Sequence, residues 1–186
     1  LAGLVTGENG GSATFNIRVA SQPTANVVIP VSSTDASEGT VSAASVTITP
    51  ANWTVPQTVT VTGADDFVQD GDIAYSIAVG VAASSDPLYA GVDPSDVAVA
   101  NTDDDVRGIT VSPVAGLVTT EAGGTATFTV VLTSQPLADV SVPLSSNITA
   151  EGSVGPSSLT FTSADWNVAR TVTVTGADDF VQDGDI

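Results

Sequence analysis

The segment TVTVTGADDFVQDGDI, Thr58–Ile73, indicates how the chain folds because a regular alternation runs into an acidic stretch within it. Threonine and valine alternate at its start, and a period of two is typical of a half-buried β-strand. Its last part, Gly63–Ile73, recurs unchanged as Gly176–Ile186, 113 positions further on. The same offset aligns Ala2–Ile73 with Ala115–Ile186 without a gap. The sequence therefore predicts tandem copies of one β-rich repeat.

Charge and composition narrow the classes of function. Lys and Arg together number 3 and Asp and Glu 21, which gives a formal net charge of −18. Nucleic acids and anionic lipids require basic surfaces, so we expect no nucleic-acid partner. No apolar run reaches the length of a membrane span, so we expect no direct membrane insertion. Because 42% of the residues are hydrophobic and regularly patterned, the high charge does not indicate disorder.

Missing residue types restrict the chemistry. The chain contains no Cys, His or Lys, which leaves only oxygen donors for a metal ion and removes several common nucleophiles and bases. Paired acids can hydrolyse glycosides, but this chemistry requires two acids in different environments. Equivalent aspartates repeated every 113 residues are typical of structural sites instead. We therefore predict that the protein is not an enzyme.

Seven short strands separated by turn signals are predicted in each complete repeat, with no helix. In the first copy they lie at Gly3–Val5, Phe15–Val19, Val27–Val31, Val46–Ile48, Thr58–Thr62, Ile73–Val79 and Val97–Val99. This pattern predicts an all-β fold of tandem immunoglobulin-like, seven-stranded β-sandwiches. One tryptophan per repeat, Trp53 and Trp166, is expected in each core.

The boundary between the repeats is placed after Asp105. Residues 1–105 are predicted to form a first sandwich that lacks its opening strand, and residues 106–186 a second, truncated sandwich that lacks its last strands. A sandwich that lacks two strands is not expected to be stable alone. We therefore interpret the chain as a segment of a continuous tandem array, with neighbouring repeats of the same chain or filament as partners.

Carboxylates concentrate at three places that a seven-stranded sandwich brings to one end. These are the turn after the first strand, the loop after the fifth and the exit of the seventh. Crowded carboxylates repel one another, whereas Ca²⁺ takes six to eight oxygen ligands. The predicted calcium ligands are Glu8, Asp65, Asp66, Asp70, Asp72, Asp103, Asp104 and Asp105, followed in the second repeat by Glu121, Asp178, Asp179, Asp183 and Asp185. We interpret Asp35, Glu38 and Glu151 as exposed turn residues.

These acidic positions resemble the motifs of the Calx-beta family. The resemblance rests on Glu8 followed by Gly10–Gly11, on the alternating strand that ends in Asp65–Asp66, and on Asp103–Asp105. It implies a sandwich that binds calcium at one end through these acids and, in the second repeat, through Glu121, Asp178 and Asp179. The second acidic stretch departs from the family, because it begins with Phe67 and is not a run of glutamates. The pattern is also similar to repeats of very long bacterial surface proteins.

Together these expectations favour a structural, calcium-binding tandem repeat of an extracellular adhesin, stalk or filament. Ions at each repeat junction would neutralise the carboxylates and crosslink loops. The alternative is a module of a cell-surface protein that recognises carbohydrate or a partner, which an exposed aromatic patch would indicate. Such a ligand could also bind elsewhere in the full protein. A third hypothesis, a calcium sensor, is disfavoured because the repeats are nearly identical.

Overall fold

The computed structural model describes residues 3–178, and in this range every regular element is a β-strand. No helix that could cross a membrane is found there. The chain divides into two compact units: Leu1–Asp66 with Asp70–Asp104, and Phe67–Gln69 with Asp105–Ile186. The short segment Phe67–Gln69 therefore belongs with the second unit, although it interrupts the first in sequence.

The first unit is a sandwich of two β-sheets. Its strands are β1 (Leu4–Gly7), β2 (Ser12–Ile17), β3 (Val27–Ser33), β4 (Gly39–Val41), β5 (Ser45–Ile48), β6 (Gln57–Gly63), β7 (Ile73–Val79), β8 (Ala83–Ser84) and β9 (Val97–Thr102). One sheet has the order β1-β9-β7-β3-β5, with β8 paired to β3, and the other has the order β2-β6-β4. The predicted all-β sandwich is confirmed. The seven strands expected from the sequence are present, and the short β4 and β8 add to them.

A hydrophobic core lies between these two sheets. Val59 and Val61 of β6 are fully buried from the smaller sheet, and Val31 and Ile77 are buried from the larger one. The Thr/Val alternation of β6 thus directs its valines inward, as predicted from the sequence, and each buried valine contributes about 1.5–3 kcal/mol. Trp53 is half-buried and packs against this core.

The first and last strands of the unit, β1 and β9, are parallel neighbours. Leu4 is paired with Val99, and the register continues to Gly7 opposite Thr102. Parallel strands end at the same edge of a sheet, so the residues that follow β1 and β9 emerge side by side. The end of β6 lies there too, because the Gly63 backbone N–H donates to the carbonyl of Gly11 at 3.0 Å.

The second unit has six strands within the described residues. They are β10 (Ile109–Ser112), β11 (Thr125–Leu132), β12 (Val140–Pro143), β13 (Gly152–Gly155), β14 (Ser158–Phe161) and β15 (Arg170–Gly176). Four form a sheet of order β10-β11-β15-β13, and β12 pairs with β14. Their core centres on the fully buried Val130, Phe161 and Val172, against which the half-buried Trp166 packs.

The segment Phe67–Gln69 is held in the second unit by specific contacts. The ring of Phe67 lies 6.1 Å from that of Trp166, measured between centroids. The Phe67 carbonyl accepts a hydrogen bond from the Gln135 backbone at 2.7 Å, and Oε1 of Gln69 accepts one from the Arg107 backbone at 2.9 Å. Phe67 has a φ of +75°, which is rare for a bulky side chain.

Candidate metal site

The parallel pairing of β1 with β9 places Glu8 beside the aspartates that follow β9. The Glu8 backbone N–H donates to the Thr102 carbonyl at 3.1 Å, which continues the ladder one residue past β1. The hydroxyl of Thr102 donates to the carbonyl of Thr6 at 3.0 Å and fixes the same two strand ends from the side chain. The position of Glu8 is therefore set by strand pairing and not by a free loop.

Glu8 is a buried carboxylate in an acidic neighbourhood. Its side chain is only 3% exposed, and its Oε2 has no hydrogen-bond partner. Burial, followed by the charges of Asp103, Asp66 and Asp70, raises the pKa of Glu8 to about 7, and a hydrogen bond from the Asp104 backbone opposes this rise. A proton or a cation at this position would therefore stabilise the folded protein.

Three of the predicted ligands form a compact group at the point where the chain leaves β9. Single carboxylate oxygens of Glu8, Asp104 and Asp105 all lie within 4.8 Å of one another. Glu8 is buried, Asp105 half-buried and Asp104 exposed, so the group opens to solvent on one side. Among residues 3–178 this is the group of acids close enough to share one ion. The orphaned oxygen of Glu8 fits such an ion.

The acidic loop after β6 is attached to the exit of β9 by reciprocal hydrogen bonds. Oδ1 of Asp72 accepts a hydrogen bond from the Asp103 backbone at 3.2 Å, and Oδ2 of Asp103 accepts one from the Gly71 backbone at 2.7 Å. Gly71 has a φ of +86°, a conformation that favours glycine. Asp72 and Asp103 thus bind backbone groups that bring the two segments together.

The other predicted acids of this loop lie at different depths. Asp66 is half-buried, whereas Asp65 and Asp70 are exposed. Partial desolvation and the charges of Asp66 and Asp103 raise the pKa of Asp70, which shows that these three carboxylates are close enough to repel. The structure therefore surrounds the Glu8 group with further negative charge.

Glu38 belongs to the same neighbourhood, and its interpretation as an exposed turn residue was wrong. It is 8% exposed, and its Oε2 has no hydrogen-bond partner. Burial, with the charges of Asp70, Asp35 and Asp66, raises the pKa of Glu38, although a hydrogen bond from Asn101 offsets part of that rise. The sequence offers one signal that could have identified Glu38: it is the acid directly before the glycine at which β4 begins. The same acid–glycine pair recurs in the second repeat as Glu151–Gly152.

The predicted ligands of the second repeat do not form such a group within residues 3–178. Glu121 and Asp178 are exposed, and the three-carboxylate group found in residues 3–178 includes neither of them. Asp179, Asp183 and Asp185 lie outside the described residues. The geometry that supports a metal site is therefore the group formed by Glu8, Asp104 and Asp105.

No protein-family model and no curated protein matches the sequence. Among solved structures, the chain is similar to CBD12 from CALX1.2, with 17% identity, a TM-score of 0.43, and coverage of 93% of this chain and 72% of that one. The calcium binding domain CBD12 of CALX1.1 is 18% identical with a TM-score of 0.42, and the alignment covers 92% of this chain and 70% of that one. The E. coli chaperone DraB is 10% identical with a TM-score of 0.39, and the alignment covers 97% of this chain and 85% of that one.

Proposed function

We propose that this chain is a structural calcium-binding repeat of an extracellular adhesin, stalk or filament. The observation that carries the proposal is the buried Glu8 carboxylate, whose Oε2 is unpartnered while oxygens of Asp104 and Asp105 lie within 4.8 Å. A buried, unpaired anion beside further anions is costly, and a divalent cation at this position removes the cost.

Calcium is the ion that the donor set fits best. All the donors are oxygens, and Ca²⁺ accepts mixed carboxylate, carbonyl and water ligands in a flexible geometry, whereas Mg²⁺ demands a strict octahedron. Glu8, Asp104 and Asp105 would hold the ion directly. The ion would supply two positive charges to a neighbourhood in which Asp66 and Asp70 also contribute negative charge.

A structural role follows from the elements that carry the ligands. Glu8 and Asp104 lie just past the ends of paired β-strands, so an ion between them would join the two ends of one rigid sheet. The sequence repeats the same acidic stretch at a constant offset, which favours a load-bearing array over a single catalytic or sensing site. Neighbouring repeats are the proposed partners, and the cell surface is the proposed location.

Thermal unfolding of the whole chain in EGTA and in millimolar Ca²⁺ tests the calcium site. A ligand that binds only the folded state at 100 times its Kd adds about 2.7 kcal/mol, and each kcal/mol raises the Tm of a domain of this size by about 4–8 °C. We therefore expect a clear upward shift in Ca²⁺.

Variants make this test specific. Asp104→Ala combined with Asp66→Ala should remove most of the calcium-dependent shift and leave the Tm in EGTA almost unchanged. Asp93→Ala, at an exposed aspartate before β9, is the matched control and should retain the whole shift. The absence of any shift in the unsubstituted chain would overturn the proposed function.

A further inference from the structure

The side chain of Asn101 contacts two strand ends that lead into acidic residues and is almost fully buried. Asn101 is 1% exposed and stands in β9, two residues before Asp103. An asparagine amide offers a carbonyl acceptor and two N–H donors. In a buried position each of these must find a partner, so the identities of the partners show what the residue does.

The amide of Asn101 contacts the segments that carry the other acids. Its Oδ1 accepts a hydrogen bond from Oγ1 of Thr6 at 2.9 Å, and Thr6 precedes Glu8 by two residues. Its Nδ2 donates to the carbonyl of Ala64 at 3.0 Å, and Ala64 directly precedes the aspartates that follow β6. The amide also interacts with the carboxylate of Glu38.

The backbone around this amide is packed closely enough to leave little freedom. A Cβ on Gly63 would overlap both Oδ1 of Asn101 and the carbonyl oxygen of Gly7. A Cβ on Gly39 would overlap the hydroxyl of Tyr75, which itself lies 3.4 Å from Oγ1 of Thr6. Glycines thus allow the strand ends to approach one polar group, and that group holds them at a fixed separation.

We propose that Asn101 is a positioning residue of the metal site: its buried amide sets the separation of the strand ends that carry Glu8, Asp66 and Asp103, without touching the ion. This inference rests on the proposed calcium-binding function. The asparagine amide offers the acceptor for Thr6 and the donor for Ala64 at once. An aspartate cannot donate when ionised, and a leucine can do neither.

Calcium titration of the metal-stripped chain by isothermal calorimetry tests the proposal, with Ca²⁺ itself as the probe. Asn101→Leu removes the amide at similar volume and should weaken the calcium Kd at least about tenfold, as is usual for residues that orient metal ligands. Thr6→Val removes one of the contacts, is expected to fold, and should weaken the Kd by about tenfold, the lower end of the range for such residues.

The matched control is Asp86→Asn. Asp86 is also buried, at 3% exposed, but its carboxylate accepts hydrogen bonds from the Thr24 backbone at 2.8 Å and the Leu88 backbone at 2.9 Å, away from the ligand segments. This variant should lower the Tm in EGTA and leave the calcium Kd unchanged.

The outcomes separate the two proposals. If the unsubstituted chain binds no Ca²⁺, the proposed function fails and this inference fails with it. If the chain binds Ca²⁺ and both Thr6→Val and any folded Asn101→Leu keep its Kd while losing stability as Asp86→Asn does, Asn101 is a structural residue and the inference alone is overturned. A weakened Kd in Thr6→Val with an unchanged Kd in Asp86→Asn supports it.

Discussion

Glu8 and Glu121 occupy the same position of the repeat, yet one is buried and the other is exposed. Glu8 follows β1, which is paired with β9. The residues before Glu121 are not in a strand, and no strand within residues 3–178 pairs with them. Glu8 is therefore buried beside a paired strand, and Glu121 is exposed where no such strand lies within residues 3–178, although both are acids followed by a glycine-rich turn.

The backbone scaffold around the two glutamates is otherwise the same. The Gly63 N–H donates to the Gly11 carbonyl at 3.0 Å, and the Gly176 N–H donates to the Gly124 carbonyl at 2.9 Å. In the same way, the Ala64 N–H donates to the Glu38 carbonyl at 3.1 Å. The Ala177 N–H donates to the Glu151 carbonyl at 2.9 Å. Local sequence is thus sufficient for the turn, whereas the buried carboxylate requires the parallel strand pair.

The largest expected effect comes from placing a methyl group beneath each turn. In Gly63→Ala the new Cβ overlaps the carbonyl of Gly7, and in Gly176→Ala it overlaps that of Thr120. Gly7 is fixed by β1–β9 pairing, so Gly63→Ala should lower the free energy of unfolding by about 3 kcal/mol or more. The exposed Thr120 segment can shift, so Gly176→Ala should lower it by only about 1 kcal/mol. Urea unfolding followed by Trp53 or Trp166 fluorescence measures each unit. Equal losses would contradict the comparison.

The next effect is a pH dependence that only the first unit should show. The pKa of Glu8 rises from 4.5 to about 7 on folding, so the folded state holds an extra proton between these values. The contribution of Glu8 to the stability of the metal-free protein is therefore fully present below about pH 4.5 and is lost as the pH rises through about 7. Each pKa unit corresponds to about 1.4 kcal/mol, so the loss is roughly 3 kcal/mol.

Urea unfolding of metal-stripped protein at pH 5 and pH 8, followed by Trp53 fluorescence, checks this sign. The lowered pKa values of Asp35 and Asp86 act below this window and do not compensate. Saturating Ca²⁺ should abolish or reverse the trend, because the ion binds the deprotonated carboxylates. Rising metal-free stability between pH 5 and pH 8 would refute the assignment to Glu8.

Substituting the two glutamates should separate the units further. At pH 8 without metal, Glu8→Gln removes a buried charge and should stabilise the first unit by about 2 kcal/mol, while it abolishes most of the calcium-dependent gain. Glu121→Gln, at an exposed position, should change stability by less than about 0.5 kcal/mol. Calorimetric titration with Ca²⁺ and urea unfolding give the two readouts. A destabilised metal-free Glu8→Gln would show that the charge is already neutralised within the protein.

The smallest effect should be the same in both units. Gly10 and Gly123 have φ values of +83° and +82°, and a Cβ on either meets no atom within 4 Å. Gly10→Ala and Gly123→Ala should therefore each cost only the backbone penalty, about 1 kcal/mol. Urea midpoints for the two units measure it. A much larger loss at Gly10 would mean that the turn itself, and not the strand beside it, distinguishes the units.

The sequence alone predicts the burial of a residue correctly where that burial depends on the residue's own strand. The Thr/Val alternation of β6 predicted which side chains enter the core, and this was confirmed by the burial of Val59 and Val61. The topology of a sandwich also predicted that the acids after the first, fifth and seventh strands would meet. The first inference succeeds because side-chain direction along a strand follows the backbone period, and the second because the ends of β1, β6 and β9 lie at one edge of the unit.

The sequence alone does not predict the surroundings of a residue where these are formed by a segment distant in the chain. Glu38 lies in a polar turn, which predicts exposure, but it is 8% exposed and hydrogen-bonded to Asn101, and its carbonyl accepts a hydrogen bond from Ala64. Phe67 was read as part of the acidic loop, but its ring lies against Trp166. The role of Asn101 has no sequence signal, because a single asparagine in a strand forms no pattern. Each of these placements depends on a residue at least 25 positions away.

The orientation of β1 against β9 has a mechanical consequence. Because the first and last strands of the unit are parallel neighbours, the chain enters at one pole and leaves at the other. Tension along the chain therefore loads the hydrogen bonds between Leu4–Gly7 and Val99–Thr102 in shear, all at once, and does not peel them apart one by one. A cation between Glu8 and Asp104 would lie in line with that ladder and share the load. Two short strands thus form the tensile link of the unit.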